Sequence, residues 1–209
     1  MGRLVLATLG AVAGLLVSDV RGWRAGVWIF KPLASAGFIA VALAAGALDH
    51  GYGRIVLVAL GLCWLGDVLL IPADERIFAI GIASFLLGHL AFLAAFVHRG
   101  VAPGWGFVAL LVLAAPSFWM LRWLGPHLSR GMRAPVTAYV CVISLMVAAA
   151  AGSYVASPAA TLLAGAIAFL LSDVSVARDR FVDPGFVNRA WGLPLYYFAQ
   201  LLLASSAAH

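Results

Sequence analysis

The sequence predicts an all-α protein, a polytopic membrane bundle of about eight transmembrane helices. Apolar residues make up 65% of the 209 residues and charged residues only 10%, which is too little polar surface to cover a water-soluble globule. A membrane-spanning helix needs about 20 mostly apolar residues. Runs of this kind lie near residues 3–19, 27–47, 54–71, 77–97, 104–124, 134–151, 159–177 and 189–206. The whole chain, 1–209, is therefore expected to form one integral membrane domain.

Charged residues, prolines and glycines mark the ends of the first four runs. The first run follows Arg3 and continues past a small-residue segment at 11–13 to Val17. It is therefore interpreted as a helix of the bundle, with a cleaved signal peptide as the alternative. The glycine-containing segment 50–53 separates the second run from the third, and Pro72 with the charges after it separates the third from the fourth.

The second half is divided in the same way. Glycine and proline at 100–104 precede the fifth run, and Pro116 inside it is expected to kink the helix. Arginines within 122–133 separate the fifth run from the sixth, and Pro158 separates the sixth from the seventh. Charges within 178–189 precede the eighth run, so the count of helices is even.

The cations are distributed unequally between the two sides of this bundle. Three lie on the side of the termini, Arg3, Arg54 and Arg99. Ten lie on or beside the first, third, fifth and seventh connections: Arg21, Arg24, Lys31, Arg76, Arg122, Arg130, Arg133, Arg178, Arg180 and Arg189. Since positive residues in short loops stay in the cytoplasm, we expect both termini outside the cytoplasm of a bacterial-type inner membrane.

Small residues recur along the helices at spacings that let two helix backbones approach closely. The fourth and seventh runs show them best: Gly81, Ser84, Gly88, Gly165, Ala166 and Ala168. Close helix packing explains these residues, and they are assigned no chemistry.

A faint internal repeat is visible in four segments. WLGDVLL in the third helix is matched by FLLSDVSVA in the seventh, and LLGHLAF in the fourth is matched by YFAQLLL in the eighth. The halves 1–100 and 101–209 are therefore predicted to be related. With four helices in each half, the repeat is parallel and its pseudo-twofold axis lies along the membrane normal.

Two aspartates stand out among the eight acidic residues, because the other six lie at helix ends or in loops. Asp67 and Asp173 each lie five residues before the cytoplasmic end of a helix, at Pro72 and Arg178, or about 7 Å of axial rise. Their matched depth is expected to bring them to one cavity. An ionisable residue inside a span is a candidate functional group, although a satisfied structural carboxyl is the alternative.

Other polar residues lie at a similar level. Lys31, one turn or so into the second helix, is expected to neutralise a phosphate or pair with an aspartate, or else to extend to the headgroups. Tyr196, Tyr197 and Gln200 share a face of the eighth helix, with interfacial aromatics as the alternative. His89 is the only histidine within a span, and it is either a substrate-binding group or a hydrogen-bonded core residue.

Several classes of function are disfavoured. There is no basic run with interleaved aromatics for nucleic acid, and no GxSxG, P-loop or HExxH segment. No cofactor is indicated. A metal site would need His89, Asp67 and Asp173 to converge, whereas His89 is expected about a helical turn deeper than the carboxylates. No metal ligand is therefore assigned.

Together these segments resemble the YhhN-like membrane proteins. The similarity runs from KPL at 31–33, through WLGDVLL, FLLGHLAF and AFLLSDVSVA, to LYYFAQLLLA, and it spans residues 31–204. The resemblance implies a lysoplasmalogenase, which cleaves the vinyl ether bond of a lysophospholipid to a fatty aldehyde and a glycerophospho-headgroup. Membrane lipids are then the partners.

Vinyl ether hydrolysis needs one carboxylic acid and one carboxylate, as glycosidases do. Asp67 lies in a purely apolar motif, so it is expected to be the acid and Asp173 the base that activates water, with the reverse assignment as the alternative. Tyr196 and Gln200 would orient water or the ether oxygen, and Lys31 would hold the lipid phosphate. Two alternatives remain at this stage, a proton-coupled small-molecule or lipid transporter and a metal-dependent lipid hydrolase.

Overall fold

Eight α-helices account for most of the computed structural model, which describes residues 1–208. They are α1 (Gly2–Val20), α2 (Arg24–Ala44), α3 (Gly51–Leu69), α4 (Glu75–Arg99), α5 (Pro103–Leu124), α6 (Arg130–Ala156), α7 (Ala160–Ala177) and α8 (Phe186–Ser206). Short connections join them, so consecutive helices run antiparallel. The described part of the chain contains no strand. The predicted all-helical membrane bundle is confirmed.

Seven of the helices within residues 1–208 are long and apolar enough to cross a membrane, and α8 is not among them. With 21 residues, α8 is about 32 Å long, which is similar to the thickness of a bilayer core, about 30 Å. It carries Asn188 and Gln200, which are buried, and Arg189, which is partly exposed and pairs with Asp19. The polar groups of α8 therefore have protein neighbours.

The helix ends agree with the predicted ones to within about five residues, the usual uncertainty of boundaries. The largest difference is in α6, which includes Pro135 and runs from Arg130 to Ala156. Pro116 lies inside α5 without ending it. A π-helical turn at Arg178–Val182 follows α7 and was not predicted. Turns of this type are frequent at functional sites.

The close pairs α3–α4 and α7–α8 depend on glycine. A methyl group at Gly88 of α4 would lie 2.9 Å from Sγ of Cys63 in α3. One at Gly165 of α7 would lie 2.8 Å from Cγ of Leu203 in α8. Both separations are shorter than van der Waals contact, so any larger residue would push the helices apart. The role of small residues in helix packing is confirmed at these two positions.

Helix α5 is peripheral. It packs mainly against α6, and Leu124 is its only buried residue. The core lies among the other helices, where Phe38, Phe92, Phe96 and Phe169 are fully buried. The first, third, fifth and seventh connections lie together at one end of the bundle, which is therefore the end with the ten cations.

Candidate active site

A cavity of about 350 Å³ opens at the cation-rich end of the bundle. We call it the polar pocket. Its walls come from α2, α3, α4, α6, α7 and α8, from the loop after α3 and from the π-helical turn. Its ionisable and hydroxyl-bearing residues are Lys31, Asp67, Tyr139, Asp173, Ser175, Asp179, Arg180, Arg189 and Tyr196. The two intramembrane aspartates therefore border one cavity.

Asp67 is surrounded by hydrogen-bond donors. Nζ of Lys31 lies 3.5 Å from Oδ1. Oδ2 accepts hydrogen bonds from Oγ of Ser35 at 2.7 Å and from the hydroxyl of Tyr196 at 2.6 Å. An ionised carboxyl accepts and does not donate, and a cation with two hydroxyl donors is the environment that suits the charged form.

A second layer fixes these donors. The hydroxyl of Tyr197 lies 3.1 Å from Oγ of Ser35 and 3.3 Å from the carbonyl oxygen of Lys31. Oγ of Ser35 also lies 3.0 Å from the carbonyl oxygen of Lys31. When its single proton is donated to Asp67, Tyr197 can donate to Ser35 and complete a chain of hydrogen bonds. Such a chain holds Asp67 in one orientation.

Asp173 has different surroundings. Its Oδ2 accepts a hydrogen bond of 2.9 Å from the hydroxyl of Tyr139 in α6. Nε2 of His89 in α4 lies 3.4 Å from the same oxygen. Within residues 1–208 no lysine or arginine pairs with Asp173.

The tautomer of His89 follows from its other contact. Nδ1 lies 2.7 Å from the backbone carbonyl oxygen of Phe85, which can only accept, so Nδ1 carries a hydrogen. In the neutral ring, Nε2 then has a lone pair. It lies 3.4 Å from Oδ2 of Asp173 but has no hydrogen-bond partner among residues 1–208.

The contacts of the two aspartates correspond between the halves of the chain. Asp67 of α3 is bound from α2 and from α8, through Ser35 and Tyr196. Asp173 of α7 is bound from α6 and contacted from α4, through Tyr139 and His89. Helix α2 thus corresponds to α6 and helix α8 to α4, so corresponding helices are four apart in chain order.

Two arginines border the pocket, and they differ in the partners of their guanidinium groups. Arg189 is held by Asp19 at 2.7 Å and by Asp179 at 3.2 Å. Arg180 lies over the ring of Phe78, 4.1 Å from its centroid, and makes no ion pair with the described residues. Its guanidinium is therefore available to an anionic group in the pocket.

The structure places four of the seven predicted site residues on the pocket wall: Lys31, Asp67, Asp173 and Tyr196. Tyr197 and Gln200 are fully buried away from it. The side-chain amide of Gln200 has no hydrogen-bond partner among residues 1–208. His89 is also fully buried and does not border the pocket, although it contacts Asp173, Tyr139 and Phe85, which do.

Asp67 is expected to be the more desolvated carboxyl because its own helix is apolar there, and its side chain is 4% exposed against 16% for Asp173. Helices α2 and α8 nevertheless supply polar partners that the apolar motif does not show, namely Lys31, Ser35 and Tyr196. His89 is expected about a helical turn deeper than the carboxylates, but this is wrong for Asp173, since Nε2 of His89 lies 3.4 Å from its Oδ2. Helical side chains tilt toward the N-terminus of their helix, and the N-terminus of α4 is at the pocket end.

Sequence reasoning missed Ser35, Tyr139 and Arg180 as members of the site. Ser35 lies four residues after Lys31, so the two share a face of α2, and that spacing was the available signal. Tyr139 and Arg180 have no motif of their own. Within residues 1–208, no three histidine, cysteine, aspartate or glutamate residues come together as metal ligands.

The bundle and its paired carboxyl groups define a multi-pass membrane protein with a polar site inside the membrane. The YhhN family matches residues 26–207, and the chain belongs to this family. No solved structure matches the chain.

Curated relatives carry the name lysoplasmalogenase. The protein of that name from Mycobacterium tuberculosis is 35% identical over 167 residues, which cover 76% of this chain and 62% of the relative. Human Lysoplasmalogenase TMEM86A is 32% identical over 187 residues, 87% of this chain and 73% of the relative. Human Lysoplasmalogenase TMEM86B is 33% identical over 193 residues, which cover 90% of this chain and 77% of the relative. The chain thus spans under two thirds of the mycobacterial relative.

Proposed function

We propose that this protein hydrolyses the vinyl ether bond of lysoplasmalogen, a lyso-ether phospholipid, and releases a fatty aldehyde and a glycerophospho-headgroup. The observation that carries the proposal is the pair of aspartates from α3 and α7 on one pocket wall, with unlike surroundings. The names of the relatives support the substrate class. No metal or cofactor is part of the proposal.

We propose roles for the two aspartates in the reverse order from that expected from the sequence, and their contacts support this order. Asp173, which has Tyr139 and His89 beside it and no lysine or arginine, carries the proton and acts as the acid. Asp67, which has Lys31 and two hydroxyl donors beside it, is the carboxylate base. A pair of carboxyl groups in unlike environments is the usual arrangement for acid and base roles.

In the first step Asp173 transfers its proton to the β-carbon of the vinyl ether. The π electrons of the double bond form the new C–H bond, and a lone pair of the ether oxygen stabilises the α-carbon as an oxocarbenium ion. Asp173 is left as a carboxylate close to this cation. Placement of a charge where the transition state develops the opposite charge is the main source of such catalysis.

Water then attacks the α-carbon while Asp67 accepts the proton that the water loses, and a hemiacetal forms. The hemiacetal hydroxyl returns a proton to Asp173 as its oxygen becomes the aldehyde carbonyl. The C–O bond to glycerol breaks, and the leaving oxygen takes the proton from Asp67. One water is consumed, and both aspartates regain their starting states.

Arg180 is proposed to bind the lipid phosphate. It borders the pocket, is exposed at the end of the bundle, and makes no ion pair within residues 1–208. Its planar guanidinium can bind two phosphate oxygens at once. Lys31, which was expected in this role, lies 3.5 Å from Asp67, and its proposed role is to favour the ionised form of that carboxyl.

We further propose that the pocket faces the cytoplasm from a bacterial-type plasma membrane, with both termini outside. The argument is the position of the pocket at the cation-rich end of the bundle. A substrate with its headgroup in the cytoplasmic leaflet would then present its ether bond just inside the apolar region.

The test is aldehyde release by the purified protein from a lyso vinyl ether phospholipid in deuterated water. The saturated alkyl ether analogue is the control, because it has no double bond to protonate. We expect aldehyde from the vinyl ether alone, with a single deuterium on the carbon next to the carbonyl when the aldehyde is trapped at once. A chelator should leave the rate unchanged.

Absence of aldehyde would remove the proposed activity. Aldehyde without carbon-bound deuterium would leave the activity but contradict the protonation step. Inhibition by the chelator, reversed by added zinc, would favour a metal-dependent hydrolase.

A further inference from the structure

A second cavity adjoins the polar pocket on the α5 side. Its volume is about 300 Å³, and its walls come from α4, α5, α6, α7 and the π-helical turn. We call it the apolar chamber. Six residues border both cavities: Phe78, Ile82, Tyr139, Asp173, Val176 and Arg180. Asp67 borders only the polar pocket, so Asp173 lies where the two cavities meet.

The dimensions of the chamber match one leaflet of a bilayer. Along α5 its wall runs from Leu113 to Leu124, which is about 17 Å of helix. Half of a bilayer core is about 15 Å thick. Apart from the shared residues, the polar residues of its walls are Ser117 and Ser144, whose hydroxyls bond to each other at 2.9 Å. The other walls are aliphatic, aromatic and methionine side chains, which suit a hydrocarbon chain.

The chamber is open to the side. Trp119 of α5 and Leu171 and Val176 of α7 line it, and they are 66%, 47% and 39% exposed. Helix α5 packs mainly against α6, so no dense helix contact closes the space between α5 and α7. In a membrane this opening faces lipid at the depth of the chains.

We infer that the apolar chamber holds the single hydrocarbon chain of the lipid substrate, which enters sideways between α5 and α7. The inference rests on the proposed function. Along the substrate the order is headgroup, ether oxygen, α-carbon, β-carbon and chain. Along the protein the order is polar pocket with Asp67, then Asp173, then chamber. The β-carbon, which must be protonated, thus lies beside Asp173, and the α-carbon lies on the side of Asp67.

The chamber contributes orientation rather than affinity. A chain that moves from lipid into an apolar chamber gains little from the hydrophobic effect, because both surroundings are apolar. Fixing the chain, however, fixes the double bond against Asp173, and misplacement by about 1 Å can cost about 100-fold in rate. We therefore expect the chamber to raise the turnover of substrates that have a long hydrocarbon chain.

The test compares Val140→Trp with Val112→Trp. Val140 lines the chamber from α6, whereas Val112 of α5 lies outside it and is exposed. Each variant and the parent are given a long-chain lyso vinyl ether phospholipid and a propenyl analogue with the same headgroup. We expect Val140→Trp to lose about 100-fold in kcat/KM on the long-chain substrate and nothing on the propenyl one. Val112→Trp should match the parent on both.

A photoreactive lysolipid with a diazirine on its chain provides a second measurement on the parent, independent of whether Val140→Trp folds. Labelling is expected at chamber residues such as Leu113 and Ile143, and competition by unlabelled lysolipid should remove it. Labels confined to outward residues such as Leu111 would overturn the inference. So would equal losses, or no loss, for Val140→Trp on the two substrates. A parent that cleaves neither substrate would overturn the proposed function itself.

Discussion

Nε2 of His89 lies 3.4 Å from Oδ2 of Asp173, and the opposite ring nitrogen is fixed by the carbonyl oxygen of Phe85. This relationship joins the halves of the chain, since His89 is in α4 and Asp173 is in α7. With Nδ1 committed as a donor, Nε2 is the ring nitrogen left to act on the carboxyl group. We propose that His89 acts on the proton of Asp173 through this contact.

Substitution of His89 by glutamine tests this pairing. His89 does not border the pocket, so its proposed role is to position Asp173. We expect His89→Gln to lower kcat by about tenfold or more and to move the pH profile of kcat, since the imidazole beside the acid is removed. A lower kcat with the parent's pH profile would show that His89 serves only packing.

Tyr139→Phe removes the hydroxyl that donates to Asp173 and leaves the ring in place. Loss of this hydrogen bond is expected to lower kcat by about tenfold with little change in KM. Tyr154→Phe is the matched control, because Tyr154 is on the same helix but is exposed and outside both cavities. Parental kcat for Tyr139→Phe would remove this tyrosine from the account.

Lys31→Met tests the ion pair with Asp67. Removal of one partner of a buried pair leaves an uncompensated charge, and we expect about 3 kcal/mol of destabilisation, measured by thermal unfolding in detergent. Adding Asp67→Asn should restore most of the stability, because the unpaired charge is gone, but no activity. If the double variant is as unstable as the sum of the two single ones, the side chains are not coupled.

Arg180→Gln tests the proposed phosphate contact. We expect KM to rise about tenfold or more, the effect of losing hydrogen bonds to a charged group, while kcat is kept because the contact is the same in the ground and transition states. Arg178→Gln is the control, since Arg178 pairs with Asp183 at 3.0 Å and does not border the pocket. Equal KM values for the two variants would contradict the assignment.

The sequence allowed the helices and the two aspartates to be predicted, because both depend on local composition. Long apolar runs require helices in lipid, and a carboxyl group within such a run is conspicuous. The neighbours of each carboxyl group were not predictable in the same way. Lys31 and Tyr196 approach Asp67 from α2 and α8, and no pattern along one chain encodes the rotation of one helix about its axis relative to another.

The parallel repeat of 1–100 and 101–209 remains a proposal. It is supported by the equivalent contacts of Asp67 and Asp173, each of which is reached from the helix before its own and from the last helix of the other half. The side chains that make these contacts differ, with Ser35 opposite Tyr139 and Tyr196 opposite His89. This difference is what gives the two carboxyl groups unlike surroundings.

The central claim is that Asp67 and Asp173 together perform one acid and base reaction. The most direct measurement is the rate of aldehyde release from lyso vinyl ether phospholipid by Asp67→Asn and Asp173→Asn, with Asp183→Asn as a control outside the pocket. We predict losses of about 10²–10⁴-fold for each pocket variant, and the parent's rate for the control. Parental rates from either pocket variant would contradict the account.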